Sequence, residues 1–208
     1  KLLSTKIDSK YIHIITSERL KNSFSSNLLT KQKINFLIFN SIFEVNSYIE
    51  NLKNIRFIVA CGPDTGFDNK MLFQAQNRIF SIHPVPNSNY LGGAHESWQI
   101  LNSEERSGFA IQHINKISIE NCSFIASKEF DIKENEKPIH IYSKALETGR
   151  LLIQEFFSEI FKQGIVNYDQ LNKNSFSEYL SWPRLFTPLN GWIDWNWDCE
   201  EIYKFCLA

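Results

Sequence analysis

The sequence predicts an α/β fold: a Rossmann-like, mostly parallel sheet with helices on both faces, followed by a short C-terminal extension. Continuous apolar stretches bounded by turn residues alternate with helix-like segments through the first 83 residues. That alternation is typical of a parallel sheet buried on both faces. The predicted strands cover residues 11–16, 34–40, 55–61 and 78–83, and the helices between the later strands cover residues 41–53 and 69–76.

The pattern changes after residue 83. Two prolines and two glycines without apolar periodicity predict a loop over residues 83–93. The helices expected beyond this loop cover residues 94–101, Pro138 to about residue 162, and 198–207. Two later strands are expected over 108–119 and 122–126, with antiparallel pairing open to them, and residues 165–193 are expected to be irregular and aromatic. We therefore expect one α/β domain over residues 1–164 and an extension over 165–208 packed on it.

Charge and hydropathy exclude two classes of partner. The 208 residues include 22 basic and 23 acidic side chains, for a formal charge of −1. Nucleic-acid capture usually needs a strongly basic face, so no nucleic acid is expected as a partner. The longest apolar runs are far below the roughly 20 residues of a membrane-spanning helix, so no membrane partner is expected either.

The cysteines predict a reduced, cytoplasmic protein. Four cysteines lie far apart without a CxxC spacing, and no Cys/His cluster predicts a metal site. Residue 1 is Lys and the chain stops at Ala208, so we expect a piece of a longer chain. Either a homodimer or a place within a larger chain is compatible with the sequence.

The end of the fourth predicted strand is the candidate site. In open α/β sheets, ligands gather at the carboxyl ends of strands. Ser81-Ile82-His83-Pro84 occupies that position. A strand-end histidine taken alone is more often structural than catalytic, so the motif needs support from its surroundings.

That support comes from a series of motifs in one order. The sequence contains, in turn, Ser81-Ile82-His83-Pro84, Tyr90-Leu91-Gly92, Trp98, Ser107-Gly108-Phe109-Ala110-Ile111-Gln112, residues 119–125, and Asn190-Gly191-Trp192-Ile193-Asp194-Trp195. Over residues 34–208 it resembles the 10-formyltetrahydrofolate-dependent formyltransferase family, and most closely the sugar N-formyltransferases. The resemblance implies the formyltransferase fold and transfer of a formyl group from 10-formyltetrahydrofolate to a primary amine.

The family's catalytic Asn, His and Asp are only partly matched. The resemblance places His83 as the acid/base, Ser81 as the formyl-oxygen donor in place of Asn, and Glu120 as the orienting carboxylate, one residue beyond the Asp position. A hydroxyl offers one donor where an amide offers two. Loss of one oxyanion donor costs about 2.7–4 kcal/mol of barrier, so the site is either rebuilt or inactive.

Binding residues follow from the same resemblance. Folate contacts are expected at Cys61, Gly62, Asp64 and Asn121, and acceptor contacts at Tyr90, Gly92 and His95. Two interpretations stay open for several of them. The turn containing Asp64 is a plain turn or a pterin-recognising loop, and His95 is a capping residue or a surrogate acid/base. The tryptophans at 192, 195 and 197 stack on a ligand ring or pin the terminal segment.

The first functional hypothesis is therefore an N-formyltransferase that acts on a small amine, plausibly a nucleotide-linked amino sugar. A second hypothesis is a catalytically degenerate binding or interaction domain with the same fold. A third is a folate-dependent hydrolase, with water as the acceptor, because pocket shape rather than the catalytic trio selects the acceptor.

Overall fold

The computed structural model describes residues 12–17, 36–61, 69–75, 78–86, 91–114, 124–163 and 181–208. Strands and helices alternate along these residues as the sequence predicts. The strands are β1 (Ile14–Ser17), β2 (Phe36–Phe39), β3 (Ile58–Cys61), β4 (Ile79–His83), β5 (Leu91–Gly92), β6 (Arg106–Ile114), β7 (Phe124–Asp131) and β8 (Ser181–Trp182). The helices are α1 (Ile42–Asn51), α2 (Asn69–Gln74), α3 (His95–Leu101), α4 (Pro138–Gln163), α5 (Thr187–Asn190) and α6 (Cys199–Leu207).

The central sheet has four strands in the order β3-β4-β6-β7. Strands β3 and β4 are parallel, whereas β6 runs antiparallel to both β4 and β7, as expected for the later strands. Parallel pairing also joins β1 to β2 and β5 to β8. The α/β class is confirmed, and the four-stranded sheet is mixed because β6 runs opposite to its neighbours β4 and β7.

Helices cover both faces of this sheet, as predicted. Successive side chains of a strand point to opposite faces. Ile79 packs in a buried cluster with residues of α1 and α2, whereas the adjacent Phe80 packs with residues of α4. Both side chains are completely buried, and each such burial stabilises the fold by roughly 1.5–3 kcal/mol. The two faces of β4 thus anchor the two helical layers.

The long helix α4 begins at Pro138, as the sequence predicts. Proline suits the first turn because its missing N–H would have no intrahelical partner there. Helix α4 approaches β6 closely at Gly149. A Cβ at this position would lie 2.5 Å from the ring of Phe109, so the absence of a side chain allows the close packing that fixes the position of the helix. The buried positions of α4 follow helical spacing: Ile141, Ala145, Leu152, Phe157 and Ile160.

Side-chain caps define the ends of two shorter helices. The Ser41 hydroxyl accepts a hydrogen bond from Glu44 N at the start of α1. Asp198 and Glu201 form a reciprocal capping box at the start of α6. Such caps satisfy backbone N–H groups that have no intrahelical partner. Both helices start within one residue of the predicted positions.

The stretches predicted as loop and irregular contain a short parallel pairing. Leu91 and Gly92 of β5 pair with Ser181 and Trp182 of β8. Two-residue strands are too short to show a period-2 pattern, and their pairing depends on partners 90 residues apart in sequence. The expected boundary between residues 164 and 165 falls outside the described residues.

The described residues bear on two further expectations. None of their helices is long and apolar enough to cross a membrane, and they contain no cluster of three or more potential metal ligands. Cys61, Cys199 and Cys206 are free and exposed. Cys122 lies outside the described residues.

Candidate active site at the carboxyl end of β4

The register between β4 and β6 brings three polar side chains to one face of the sheet. Ser81 pairs directly with Gln112, and His83 pairs with Ala110. Side chains at positions 81 and 83 share a face because strand side chains alternate, and paired residues of neighbouring strands point the same way. His83, Ser81 and Gln112 therefore lie on the face that, further along the strands, carries Ile79 and Ile114.

His83 is held by Gln112. Its Nε2 lies 3.0 Å from Gln112 Oε1, and its ring centroid is 5.7 Å from that of Phe124. An amide oxygen only accepts, so Nε2 carries the proton and Nδ1 keeps a free electron pair. Nδ1 is thus the ring atom able to take up a proton.

Burial keeps His83 neutral. Desolvation lowers the pKa of His83, the hydrogen bond to Gln112 raises it in part, and the positive charge of His95 lowers it further. The net pKa lies below the ordinary histidine value of about 6.5. At neutral pH the ring is therefore mostly in the form that accepts a proton.

Gln112 is the site residue that the sequence did not single out. Strand alternation limits the choice to Gln112 or His113 but does not say which of them faces the site. The register decides: His113 points to the opposite face, where its ring lies 5.6 Å from that of Phe80. A useful signal was present, since Gln112 is the last residue of Ser107-Gly108-Phe109-Ala110-Ile111-Gln112, one of the motifs on which the family resemblance rests.

Ser81 lies directly beside Gln112 but is closed off from solvent. The residue is 0% exposed, and its hydroxyl has no hydrogen-bond partner among the described residues. A buried, unsatisfied hydroxyl costs about 1–3 kcal/mol. A ligand oxygen at this end of β4 would offer the missing partner once it reached the hydroxyl.

His95 begins helix α3 and forms an ion pair with Glu96. His95 Nε2 is 3.4 Å from Glu96 Oε1, and the two side chains are only 20% and 15% exposed. Burial acts to lower the pKa of His95, but the Glu96 carboxylate and the backbone of Gly92 outweigh it, so the net pKa is raised. His83 and His95 are thus shifted in opposite directions, an arrangement typical of acid/base pairs in active sites.

The backbone that leads to His95 is strained. Gly92 has φ +126°, and a Cβ there would lie 2.2 Å from the carbonyl oxygen of Trp182. Only glycine fits this close approach. Ala94 adopts a left-handed conformation with φ 55° and ψ 37°, which costs a non-glycine residue roughly 1–2 kcal/mol.

Cys61 ends β3 at the same edge of the sheet. The parallel register aligns Cys61 with Ile82, one residue before His83, and Cys61 is exposed. The structure therefore brings Cys61 and His83 to the same end of the sheet, but strand alternation places the Cys61 side chain on the face of Ile82, opposite that of His83. The remaining predicted site residues lie outside the described residues: Gly62, Asp64, Tyr90, Glu120 and Asn121.

A cavity occupies the opposite end of the sheet. It has a volume of about 470 Å³ and is lined by Leu52, Asn54, Ile55, Arg56, Gln74 and Arg78. These residues flank the amino ends of β3 and β4, whereas His83 and Cys61 lie at the carboxyl ends. We assign the candidate site by its chemistry; residues 62–68, 87–90 and 115–123 lie outside the described residues.

Comparison with known proteins places this arrangement in the formyltransferase fold. No protein-family model and no curated protein matches the sequence. Solved structures do match. The sugar 3-N-formyltransferase WlaRD superposes with a TM-score of 0.73 at 18% identity, covering 99% of this chain and 72% of WlaRD. The N-formyltransferase from Helicobacter canadensis gives a TM-score of 0.64 at 18% identity, covering 94% of this chain and 79% of that enzyme.

A third similar structure is much longer. HypX from Aquifex aeolicus superposes with a TM-score of 0.66 at 16% identity, covering 93% of this chain. The chain spans about a third of the length of HypX, 33%. At these identities the likeness establishes the fold, and the fold predicted from the motif series is therefore confirmed.

Proposed function

We propose that this chain transfers a formyl group from 10-formyltetrahydrofolate to a primary amine of a small molecule. One observation carries the proposal: a neutral histidine, His83, anchored by Gln112, stands at the carboxyl end of β4 in a formyltransferase fold. Amine attack requires a group that accepts a proton near neutral pH, and a histidine with a lowered pKa meets that requirement.

The reaction uses His83 as the base. The amine nitrogen attacks the formyl carbon, a new C–N bond forms, and the bond from that carbon to N10 of the folate breaks. The proton released by the amine passes to Nδ1 of His83, and N10 takes a proton as it leaves. Negative charge collects on the formyl oxygen in between, where a hydrogen-bond donor lowers the barrier.

Ser81 is our candidate for that donor. Its hydroxyl lies on the same face as His83 and has an unused donor, but it is fully buried. The formyl oxygen therefore has to enter the space beside Gln112, or the Ser81 side chain has to rotate outward. Glu120, the proposed orienting carboxylate, lies outside the described residues, and the described side-chain partner of His83 is an amide.

Folate is expected against the carboxyl ends of β3 and β4. Cys61 is the described member of the proposed folate contacts, and its exposure at the sheet edge leaves it accessible to a ligand. The neutral ring of His83 and the unsatisfied hydroxyl of Ser81 suit an uncharged formyl group. Gly62, Asp64 and Asn121 complete the proposed contacts.

The acceptor we favour is a nucleotide-linked amino sugar. Support comes from the segment 190–195, from the near-neutral charge, and from WlaRD, described as a sugar 3-N-formyltransferase in the presence of dTDP. The Helicobacter canadensis enzyme was solved with folinic acid and dTDP-3-aminofucose. Gly92, His95 and Tyr90 are the proposed acceptor contacts. We also propose a cytoplasmic location, because Cys61, Cys199 and Cys206 are free thiols, as is usual in a reducing compartment.

Two observations favour the second hypothesis, a degenerate binding domain. Burial of the Ser81 hydroxyl and an amide as the described partner of His83 both depart from the family's catalytic set. A fold that kept a ligand but lost transfer would look the same at these positions. Hydrolysis of the formyl folate differs only in its acceptor and is tested alongside transfer.

Two linked measurements test the proposal. Thermal unfolding is followed with increasing 5-formyltetrahydrofolate, since a ligand that binds only the folded state stabilises it by about 2.7 kcal/mol at a hundredfold excess over its Kd. Formyl transfer from 10-formyltetrahydrofolate to dTDP-3-aminofucose is then followed by mass spectrometry, with a reaction lacking the sugar to detect hydrolysis.

We expect a saturable rise in Tm and a formylated sugar nucleotide. Binding without any product favours the degenerate domain, and folate breakdown without the sugar favours the hydrolase. No shift at millimolar folate contradicts the proposed cofactor.

A further inference from the structure

A short segment from the C-terminal part of the chain contacts the backbone that precedes His95 and holds it in place. We call residues 181–184 the C-terminal clasp. The clasp pairs with β5 as a parallel strand, and the Trp182 carbonyl accepts a further hydrogen bond from Gly93 N at 3.3 Å. Sequence separations of about 90 residues make these contacts tertiary rather than local.

Aromatic contacts extend the clasp onto helix α3. The Trp98 and Trp182 rings are stacked, with centroids 5.1 Å apart and planes inclined by 23°. Trp98 Nε1 donates to the Pro183 carbonyl oxygen at 2.8 Å. Stacked aromatic pairs contribute about 0.5–1.5 kcal/mol beyond their burial. The clasp therefore holds both the strand before His95 and the helix that begins with it.

Between these two anchors lies the strained backbone. Gly92 and Ala94 both have positive φ, and Ala94 pays a steric cost for it. Strained conformations persist only where the surrounding structure over-determines them, and they concentrate at functional sites. The clasp constrains the backbone on both sides of Ala94: it hydrogen-bonds to the backbone before Ala94, and it stacks on and hydrogen-bonds to helix α3 after it.

The strained segment is followed directly by the ion pair of His95 and Glu96, which we place in the candidate site. His95 and Glu96 follow Ala94 directly, and both side chains are largely buried, 20% and 15% exposed. A largely buried ion pair stays in place only if its backbone is fixed, because small displacements expose or separate the charges. The position of His95 therefore depends on the clasp.

We propose that Trp182, at the centre of the C-terminal clasp, is a positioning residue for acceptor binding, because it fixes the backbone that presents His95. This inference rests on the proposed function. It extends that function to a part of the chain 99 residues beyond His83 in sequence. Since the clasp holds the segment that carries Gly92 and His95, two of the proposed acceptor contacts, its loss should weaken binding of the amine and leave binding of the folate unchanged.

The test compares steady-state kinetics of three variants with dTDP-3-aminofucose and 10-formyltetrahydrofolate. In Trp182→Ala we expect the KM for the sugar nucleotide to rise about tenfold, with the folate KM unchanged within about twofold. Trp182→Phe keeps a stacking ring and should restore most of the affinity. Phe186→Ala is the matched control, because Phe186 lies in the same terminal segment and is 58% exposed.

Near-UV circular dichroism checks the physical cause in the same proteins. Trp182→Ala should lose the signal of the Trp98–Trp182 stack, whereas Phe186→Ala should keep it. If Trp182→Ala does not fold, Trp98→Phe replaces it: that change removes the hydrogen bond to Pro183, and we expect a rise of about threefold in the sugar KM.

The outcomes separate the two proposals. A selective rise in the sugar KM, rescued by Phe, supports the positioning role. Equal changes in both KM values, or a lowered Tm with normal KM values, overturn it while the proposed function stands. Absence of any formyl transfer by the wild-type protein overturns the proposed function, and the positioning role with it.

Discussion

The two ends of the central sheet use polar side chains in opposite ways. At the amino ends of β3 and β4, a cavity of about 470 Å³ carries Arg78 on its wall. The guanidinium of Arg78 is committed to the backbone: Nε donates to the Ala75 carbonyl at 3.3 Å and Nη2 to the Ile55 carbonyl at 3.2 Å. These two hydrogen bonds join the Arg78 side chain to the backbone of the same chain.

At the carboxyl ends, hydrogen-bonding capacity is left unused. His83 uses Nε2 for its hydrogen bond to Gln112, and its Nδ1 remains available. The Ser81 hydroxyl has no hydrogen-bond partner among the described residues. Buried polar groups are normally satisfied, so an unsatisfied one in a native fold calls for a ligand or a functional reason. Gln74 Oε1 on the cavity wall is also buried without a described partner, so an unused hydrogen-bonding atom does not by itself mark a site. The candidate site is marked by its chemistry: His83 has a ring nitrogen able to take up a proton on the same face as the Ser81 hydroxyl.

Replacing His83 is the largest expected effect and tests the carboxyl end directly. In His83→Gln we expect formyl transfer to fall by about 10²–10⁴-fold, the usual contribution of a general base. Folate binding, followed by the ligand-dependent rise in Tm, should persist. His140→Gln is the matched control, since His140 is exposed at the start of α4. Full activity in His83→Gln would remove His83 from the mechanism.

Ser81→Ala separates function from stability in a single variant. Removal of an unsatisfied buried hydroxyl should raise the free energy of unfolding by about 1 kcal/mol. Loss of an oxyanion donor should slow formyl transfer by about 10²-fold. Urea denaturation and turnover measured on the same preparation give the two numbers. A variant that is more stable and equally active would leave Ser81 without a role in the reaction.

Replacing Arg78 should lower stability and leave activity unchanged, the opposite of the result expected for Ser81→Ala. Arg78→Met removes two hydrogen bonds from a charged donor and should lower the free energy of unfolding by about 2 kcal/mol, measured by urea denaturation. Turnover per folded molecule should stay at the wild-type value. Arg56→Met, at an exposed position on the same cavity wall, should cost less. Loss of folate binding in Arg78→Met would move the ligand to the amino end.

Sequence patterns predicted the fold because its layers depend on local signals. Apolar runs predicted β2, β3 and β4, and Pro138 and Asp198 marked two helix starts within a residue. The order of the motifs around His83 was enough to predict the formyltransferase fold. Each strand, each helix start and each single motif is a signal contained in a few consecutive residues, and only the order of the motifs draws on a longer stretch of the chain.

The contacts that complete the site depend on residues far apart in sequence. Gln112 reaches His83 only because β6 pairs with β4 in one particular register. Trp182 reaches Gly92 through two strands of two residues each. Neither pairing leaves a periodic pattern in the sequence: β6 is buried along eight consecutive residues, and β5 and β8 are too short to show alternation. The sequence predicted candidate residues for the proposed chemistry, but it did not predict which partners hold them.

The smallest expected effect concerns the charge of His95. In Glu96→Gln the positive ring of His95 loses its carboxylate. The pKa of His95 is raised in the folded protein. The pair therefore stabilises the fold at pH values below the unfolded histidine pKa of about 6.5, and this contribution is lost as the pH rises through the folded pKa of His95. Glu96→Gln should therefore lower the free energy of unfolding at pH 6 by about 1 kcal/mol or less, and hardly change it at pH 9.

Urea denaturation at pH 6 and pH 9 measures the difference, with Glu105→Gln as the control because Glu105 is exposed close to the end of the same helix. NMR titration of the histidines gives the second readout: the pKa of His95 should fall in Glu96→Gln. Since the charge of His95 holds down the pKa of His83, a less protonated His95 should let the pKa of His83 rise. Independent titration of the two rings would contradict an electrostatically linked pair and leave His83 tuned by burial alone.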